Sequence, residues 1–265
     1  MAFRGWPAEA LEFYEGLEAD NTKTYWQAHK TTYDECVRGP MVELLAELEP
    51  RWGAGKIFRP YRDVRFSADK TPYKTHIGAL LAGGGYVQLG ADGLATGCGV
   101  WHLDGDELRR FRAAVADDAS GEPLAAVVAD LRGQGLEVIA RESLKTVPRG
   151  FDRDHPRGDL LRHKGLAAWK SWPVAPWLGT AKARTRIEEF LEAARPLKRL
   201  AARARRLSRA AATSVEVQKH APPVPRPARA QRRHGPASVR GARRGRDRSR
   251  RRARAEAGVC GLLAA

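Results

Sequence analysis

The sequence predicts an α+β domain, in which helices surround a largely antiparallel sheet, followed by a disordered basic C-terminal tail. Apolar residues recur at helical spacing in the first fifty residues, alternate with period two in the middle of the chain, and return to helical spacing up to residue 206. From about residue 210 the composition changes to Arg, Ala, Pro and Gly. We therefore expect one domain over residues 1–208 and a disordered tail over residues 209–265.

The first fifty residues carry start and stop signals for helices. Pro7 suits the first turn of one helix, and Asn21 or Thr22 suits the cap of a second. Gly39-Pro40 is expected to interrupt that second helix, after which helical spacing resumes as far as Pro50.

The middle of the chain has the pattern of strands. Residues 57–67 and 76–81 are expected to be extended, and 86–89 and 94–103 alternate around Ala91-Asp92-Gly93, which indicates a hairpin. Asp104 followed by Glu107 has the spacing of a capping box. Beyond it we predict a helix over 122–131, short paired strands over 136–140 and 142–147, a helix over 158–169 and a long helix over 180–206.

The charge is concentrated in the tail. Of the net charge of +16, +11 comes from Thr213 onwards, where fourteen Lys and Arg face three acids. The basic composition is therefore no sign that the domain itself binds nucleic acid, although the tail could do so without sequence preference. The tail could equally be an out-of-frame translation of a GC-rich gene, because its dominant residues have G- and C-rich codons.

Cysteine usage and hydropathy point to the cytoplasm. Cys36, Cys98 and Cys260 are an odd, widely spaced set that fits neither a zinc site nor a disulfide framework. The first residues lack the apolar run of a signal peptide, and no apolar stretch has the length of a membrane span. We expect a cytoplasmic protein with no membrane partner, no metal and no cofactor.

Several motifs carry a family resemblance. They are the run from Phe58 to His76, the opening Phe3-Arg4-Gly5-Trp6-Pro7, the segment from Asn21 to Trp26, and the blocks 144–152 and 155–164. Over residues 3 to 200 the sequence resembles the bacterial family of conserved hypothetical proteins catalogued as domain of unknown function 2461. The resemblance implies no particular activity, substrate or cofactor, because that family has no agreed one.

The run from Phe58 to His76 also provides the candidate site. If residues 58–67 form a strand, Phe58, Val64 and Phe66 face the core, and Arg62 lies on that apolar side with its head group at the edge. A turn would then bring Lys70, Tyr73 and Lys74 back to the polar face. The candidate ligand-binding residues are Arg59, Asp63, Arg65, Ser67, Asp69, Lys70, Tyr73 and Lys74.

Guanidinium groups clustered in this way match the oxygens of a phosphate or a carboxylate. A small anionic ligand is therefore the leading hypothesis. The same residues could instead form an ion network that only fixes the turn, or a catalytic site in which Asp63 and Asp69 act as acid and base. An interaction module without a ligand is a further alternative, and whether the protein is an enzyme stays open.

Overall fold

The computed structural model describes the backbone of residues 2–206 and the side chains as far as residue 200. These residues form helices and one sheet with the strand order β1-β2-β3-β4-β6-β5, in which every neighbouring pair is antiparallel. The predicted α+β class with an antiparallel sheet is confirmed. The predicted tail, residues 209–265, lies outside the described residues.

The N-terminal part is helical, as predicted. It consists of α1 (Ala8–Ala19), α2 (Lys23–Ala28), α3 (Lys30–Thr32), a π-helical turn (Tyr33–Arg38) and α4 (Gly39–Trp52). Thr22 caps α2 by accepting a hydrogen bond from the backbone amide of Tyr25. Gly39-Pro40 marks the change from the π-helical turn to α4 but does not interrupt the helical backbone as predicted, because Arg38 and Gly39 both have helical dihedral angles.

The sheet is built from the middle and the late part of the chain. Its strands are β1 (Gly55–Ile57), β2 (His76–Leu81), β3 (Gly85–Gly90), β4 (Gly93–Val100), β5 (Glu137–Ile139) and β6 (Leu166–Trp172). The predicted hairpin is confirmed, since Gly90 pairs with Gly93 across Ala91 and Asp92. Gly93 has φ +116° and a Cβ there would lie 2.3 Å from the Trp172 carbonyl oxygen, so only glycine fits.

The remaining helical elements follow β4. They are α5 (Gly105–Ala116), α6 (Asp118–Gly133), α7 (Gly158–Arg162), a 3₁₀ turn (Pro176–Gly179) and α8 (Lys182–Arg206). Asp104 takes the N-cap position of α5 as predicted, but its side chain makes no capping hydrogen bond. Asp117 caps α6 by accepting from the Ser120 amide, so that helix begins earlier than predicted.

Two predicted elements are wrong. The predicted helix over 158–169 ends at Arg162, and residues 166–172 instead form β6 between β4 and β5. Leu166 to Trp169 are buried in succession, and such a run does not distinguish a central strand from a buried helix. The predicted strand over 142–147 is reduced to one isolated bridge between Ser143 and His163.

The two faces of the sheet have different surroundings. One face packs against α4, α6 and α8 and forms the main apolar core, which includes Ile77, Val87 and Leu94. The other face, here called the second face, carries a separate cluster of Tyr86, Ala95 and Trp169. None of the described residues in that cluster belongs to a helix. Phe58 packs against this cluster, and it is also the first residue of the run from Phe58 to His76 that was predicted to form the site.

Candidate functional site

The candidate segment is not the long strand that the sequence suggested. β1 ends at Ile57, and residues 58–75 contain one isolated bridge, between Tyr61 and Tyr73. Pro60 and Pro72 have no amide hydrogen, so the chain cannot continue a ladder through them. The Pro60 carbonyl accepts a hydrogen bond from the Lys74 amide at 2.8 Å, and the Pro72 carbonyl accepts one from the Arg62 amide at 2.9 Å. We call residues 60–62 and 72–74 the ribbon.

Because the strand is absent, the predicted alternation is also wrong. Phe66, expected in the core, is 89% exposed, whereas Ser67, expected on the polar face, is 6% exposed. The chain turns between these positions, and the Ser67 amide donates to the Val64 carbonyl at 3.3 Å.

One side of the ribbon is anchored on the N-terminal helices. The Asn21 side chain donates to the Tyr73 carbonyl and accepts from the Tyr73 amide, each at 3.0 Å. Trp26 stacks on Tyr73, and Tyr61 lies against the same ring at 5.4 Å between centroids. Burial raises the pKa of the Tyr73 phenol. This candidate ligand-binding residue is therefore also a packing residue of the core.

Asp63 and Arg65 form an ion pair with each other. Arg65 Nε lies 3.0 Å and 3.1 Å from the two carboxylate oxygens, and Arg65 Nη2 lies 2.6 Å from Oδ2. The hydrogen bonds from Arg65 lower the pKa of Asp63 to about 2. The Arg65 side chain is 74% exposed, so this bidentate pair lies at the surface. Nearby, Lys70 Nζ donates to the Val64 carbonyl at 2.9 Å.

Arg62 is buried rather than extended to the edge, which corrects the sequence prediction. Its side chain is 4% exposed. Nη1 donates to Asp69 Oδ2 at 2.6 Å, to the Thr71 carbonyl at 3.2 Å and to Thr71 Oγ1. Asp69 in turn accepts from the Thr71 amide, and that bond lowers its pKa. Arg62, Asp69 and Thr71 together hold the turn closed.

Lys74 and Arg59 lie close enough for their positive charges to interact, and Arg59 also helps to lower the pKa of Asp63. Lys74 is half-buried, and its Nζ lies 5.5 Å from the centroid of the Phe58 ring. Burial lowers the pKa of Lys74, and repulsion from Arg59 lowers it further. Burial, with a smaller contribution from Lys74, also lowers the pKa of His76 to about 4. Among residues 2–200, neither Lys74 nor Arg59 has an acidic partner in an ion pair.

The structure thus divides the eight candidates into groups. It brings Arg59 and Lys74 together, pairs Asp63 with Arg65, places Asp69, Lys70 and Ser67 in the turn, and packs Tyr73 against Trp26. Whether any of them binds a ligand stays a prediction. Arg62 and His76 were missed as site residues, and the prolines at 60 and 72 were the signal that could have revealed the ribbon.

Next to this cationic pair, the second face of the sheet carries a buried layer of polar and aromatic side chains. Tyr86 Oη donates to Gln88 Oε1 at 2.7 Å, and Trp169 Nε1 donates to Ser171 Oγ at 2.9 Å. The Tyr86 and Trp169 rings lie 5.9 Å apart. Burial raises the pKa of Tyr86 far above its usual value, so the phenol stays protonated.

Other polar and titratable groups have local structural partners. Arg157 is buried and donates to the Val115 and Ala116 carbonyls at the end of α5. Ser143 Oγ and His163 Nδ1 lie 2.7 Å apart across their bridge. Cys98 belongs to the main core, and burial raises its thiol pKa to about 11. Within the described residues no three His, Cys, Asp or Glu side chains form a possible metal site.

Comparison with known proteins places the chain in a family. A family model described as "Conserved hypothetical protein (DUF2461)" matches residues 9–199, which include the whole sheet and the ribbon. The chain belongs to the DUF2461 family. No curated protein matches this DUF2461 chain.

A solved structure, "Conserved hypothetical protein Pfu-178653-001 from Pyrococcus furiosus", shares 14% identity with this DUF2461 chain and covers 64% of it and 96% of its own length. Its TM-score is 0.32, so the likeness adds nothing to the fold described above. Over the described part of the DUF2461 chain, none of the helices has the length and apolar character needed to cross a bilayer.

Proposed function

We propose that this DUF2461 domain binds a small anion, a carboxylate or phosphate compound, beside Arg59 and Lys74. The observation that carries the proposal is the position of Lys74, whose ammonium group is half-buried over Phe58 next to a second cation. In the described part of the chain neither cation forms an ion pair with a carboxylate, and Asp63, the carboxylate whose pKa Arg59 helps to lower, is itself paired with Arg65. The proposal concerns binding and assigns no reaction.

The energetic basis is the cost of keeping the half-buried Lys74 ammonium group close to a second cation, the exposed Arg59 side chain. Burial disfavours the charged form of an amine, and a neighbouring like charge disfavours it further. An anion between Arg59 and Lys74 reverses both effects, because it supplies the opposite charge and accepts hydrogen bonds from both. Ion pairing that only fixes the turn accounts for Arg62, Asp69, Arg65 and Asp63, but it does not account for Lys74.

The proposal is tested by thermal unfolding of the full chain with inorganic phosphate, pyrophosphate, citrate and AMP, each at several concentrations. A ligand of the folded state raises the midpoint progressively with concentration. Lys74→Gln should abolish the rise, while Lys145→Gln, which removes an equal charge from an exposed loop, should keep it. No rise with any compound, or an unchanged rise in Lys74→Gln, would reject the proposal.

A second candidate function concerns the basic tail, because the charge of +11 from Thr213 onwards favours association with nucleic acid. Binding of this kind should be indifferent to sequence and weaken steeply with salt. Removing residues 209–265 should abolish it, and binding that survives the truncation would exclude the tail as its cause.

A further inference from the structure

The buried guanidinium of Arg62 has one satisfied and one unsatisfied edge. Nη1 is bonded to Asp69 and Thr71, as described above. Nε and Nη2 are shielded from solvent, and neither meets an acceptor among the described residues. Buried donors of a charged group without an acceptor are rare in folded proteins, because each one costs its lost hydration.

Arg65, three residues away, shows which partner fits that edge. In Arg65 the same two atoms, Nε and Nη2, hold both carboxylate oxygens of Asp63. This side-on fork matches two oxygens of one planar group, which is the geometry of a bidentate arginine–carboxylate pair. Arg62 therefore presents, in a buried setting, the edge that Arg65 uses for a carboxylate at the surface.

The ribbon brings this fork to the side that carries Lys74. Tyr61 pairs with Tyr73, and both rings lie on the side of the N-terminal helices. Alternation then places Arg62 and Lys74 on the opposite side. Arg62 is across from Pro72, so Lys74 is its diagonal neighbour, about 7–8 Å away between Cα atoms.

Two cationic points at one fixed separation select a ligand with two anionic groups. We propose that the ligand is a small dicarboxylate, with one carboxylate bound side-on by Nε and Nη2 of Arg62 and the other held by Lys74 and Arg59. This inference rests on the proposed anion binding and specifies its ligand class. Nε and Nη2 are both closed off from solvent in this structure, so binding requires the side chains around the fork to move apart.

The test is calorimetric titration of the full chain with malonate, succinate and glutarate, and with acetate as the single-carboxylate comparison. One member of the series should bind best, because the two cationic points fix one spacing, and acetate should bind more weakly than that member. Arg62→Lys keeps the charge but removes the fork, so it should weaken the best dicarboxylate about tenfold. Arg65→Lys is the matched control, since it makes the same change at the exposed pair, and it should bind as the wild type does.

Arg62 also holds the turn, so its substitution changes the structure as well as the fork. A second measurement is therefore made on the wild-type protein. In the ¹⁵N-labelled wild type, the Arg62 Nε–H resonance should shift on titration with the best dicarboxylate, while that of Arg65 should not. An Arg62 resonance that stays in place, or undiminished affinity in a folded Arg62→Lys protein, would overturn the dicarboxylate assignment. If Lys74→Gln still abolished anion binding, the proposed function would survive that result; if no anion bound at all, both would fail.

Discussion

The indole of Trp26 lies flat against the phenol ring of Tyr73, with centroids 4.4 Å apart and planes 6° from parallel. This contact joins α2 to the ribbon, so the N-terminal helices fix the position of the segment that carries Arg62 and Lys74. Tyr33 and Phe13 pack on the other edges of the same indole. The candidate site therefore depends on packing far from it in sequence.

Replacing Trp26 by Ala should destabilise the domain by about 3–5 kcal/mol, because it leaves a cavity beneath Tyr73. Equilibrium unfolding in urea measures this loss. Tyr61→Ala provides the comparison, since that ring belongs to the same aromatic group but is 51% exposed, and it should cost less than about 1 kcal/mol. Equal losses in the two variants would contradict a role for the buried stack.

Asn21→Asp should weaken the attachment of the ribbon. The carboxylate keeps the acceptor for the Tyr73 amide, but it loses the donor to the Tyr73 carbonyl and places two oxygens in opposition. We expect a loss of about 1–3 kcal/mol in the free energy of unfolding and faster exchange of the Tyr73 amide hydrogen. Asp20→Asn, at the neighbouring exposed position, should leave both measurements unchanged.

The stability of the domain should depend on His76 in mildly acidic solution. Its pKa is about 4 in the folded state, while an unfolded histidine has a pKa of about 6.5. Between these two values His76 takes up a proton when the protein unfolds. The free energy of unfolding therefore has its highest value above pH 6.5 and falls as the pH drops towards 4. With allowance for partial exposure of the ring, the loss should be about 2 kcal/mol.

Urea unfolding at a series of pH values measures this dependence. His76→Gln should reduce the slope between pH 6.5 and 4 without removing it, because burial also lowers the pKa of His163, while His155→Gln should retain the slope. A curve that His76→Gln leaves unchanged would assign the dependence to another group.

Gly78→Ala should disturb the second face of the sheet. A Cβ at Gly78 would lie 2.5 Å from Tyr86 Oη, so the ring must move and its hydrogen bond to Gln88 is lost. The expected cost is about 1–3 kcal/mol in the free energy of unfolding. Gly133→Ala, where a Cβ meets no neighbour, should be close to neutral. A neutral Gly78→Ala variant would show that the second face repacks freely.

Local patterns predicted the fold where the structure depends on local chemistry. The β3–β4 hairpin follows from alternation on both sides of Ala91-Asp92, and α8 from an apolar stripe ending in basic residues. β6 was missed because its partners β4 and β5 lie far away in sequence, and its buried residues lack the polar alternation of a half-exposed strand. The strand conformation of residues 166–172 is therefore determined by their long-range pairing with β4 and β5.

The candidate site was predicted in composition but not in geometry. Arg59 and Lys74 were both identified as site residues, and the structure brings them close enough for Arg59 to lower the pKa of Lys74. The Arg62 head group was expected at the edge of the apolar side, but the side chain is buried. Its burial depends on Asp69 and Thr71, which reach it through a turn that no periodicity describes.

The position of β6 has a consequence for biosynthesis. The last strand to leave the ribosome is inserted between the fourth and the fifth, so neither β4 nor β5 has its β6 neighbour until residue 172 has been made. A nascent chain that has emerged only as far as α7 still has an unpaired β4 edge, which is the type of exposed strand that chaperones protect. The sheet of this domain is therefore completed late in synthesis, shortly before α8 emerges to cover β4 and β6.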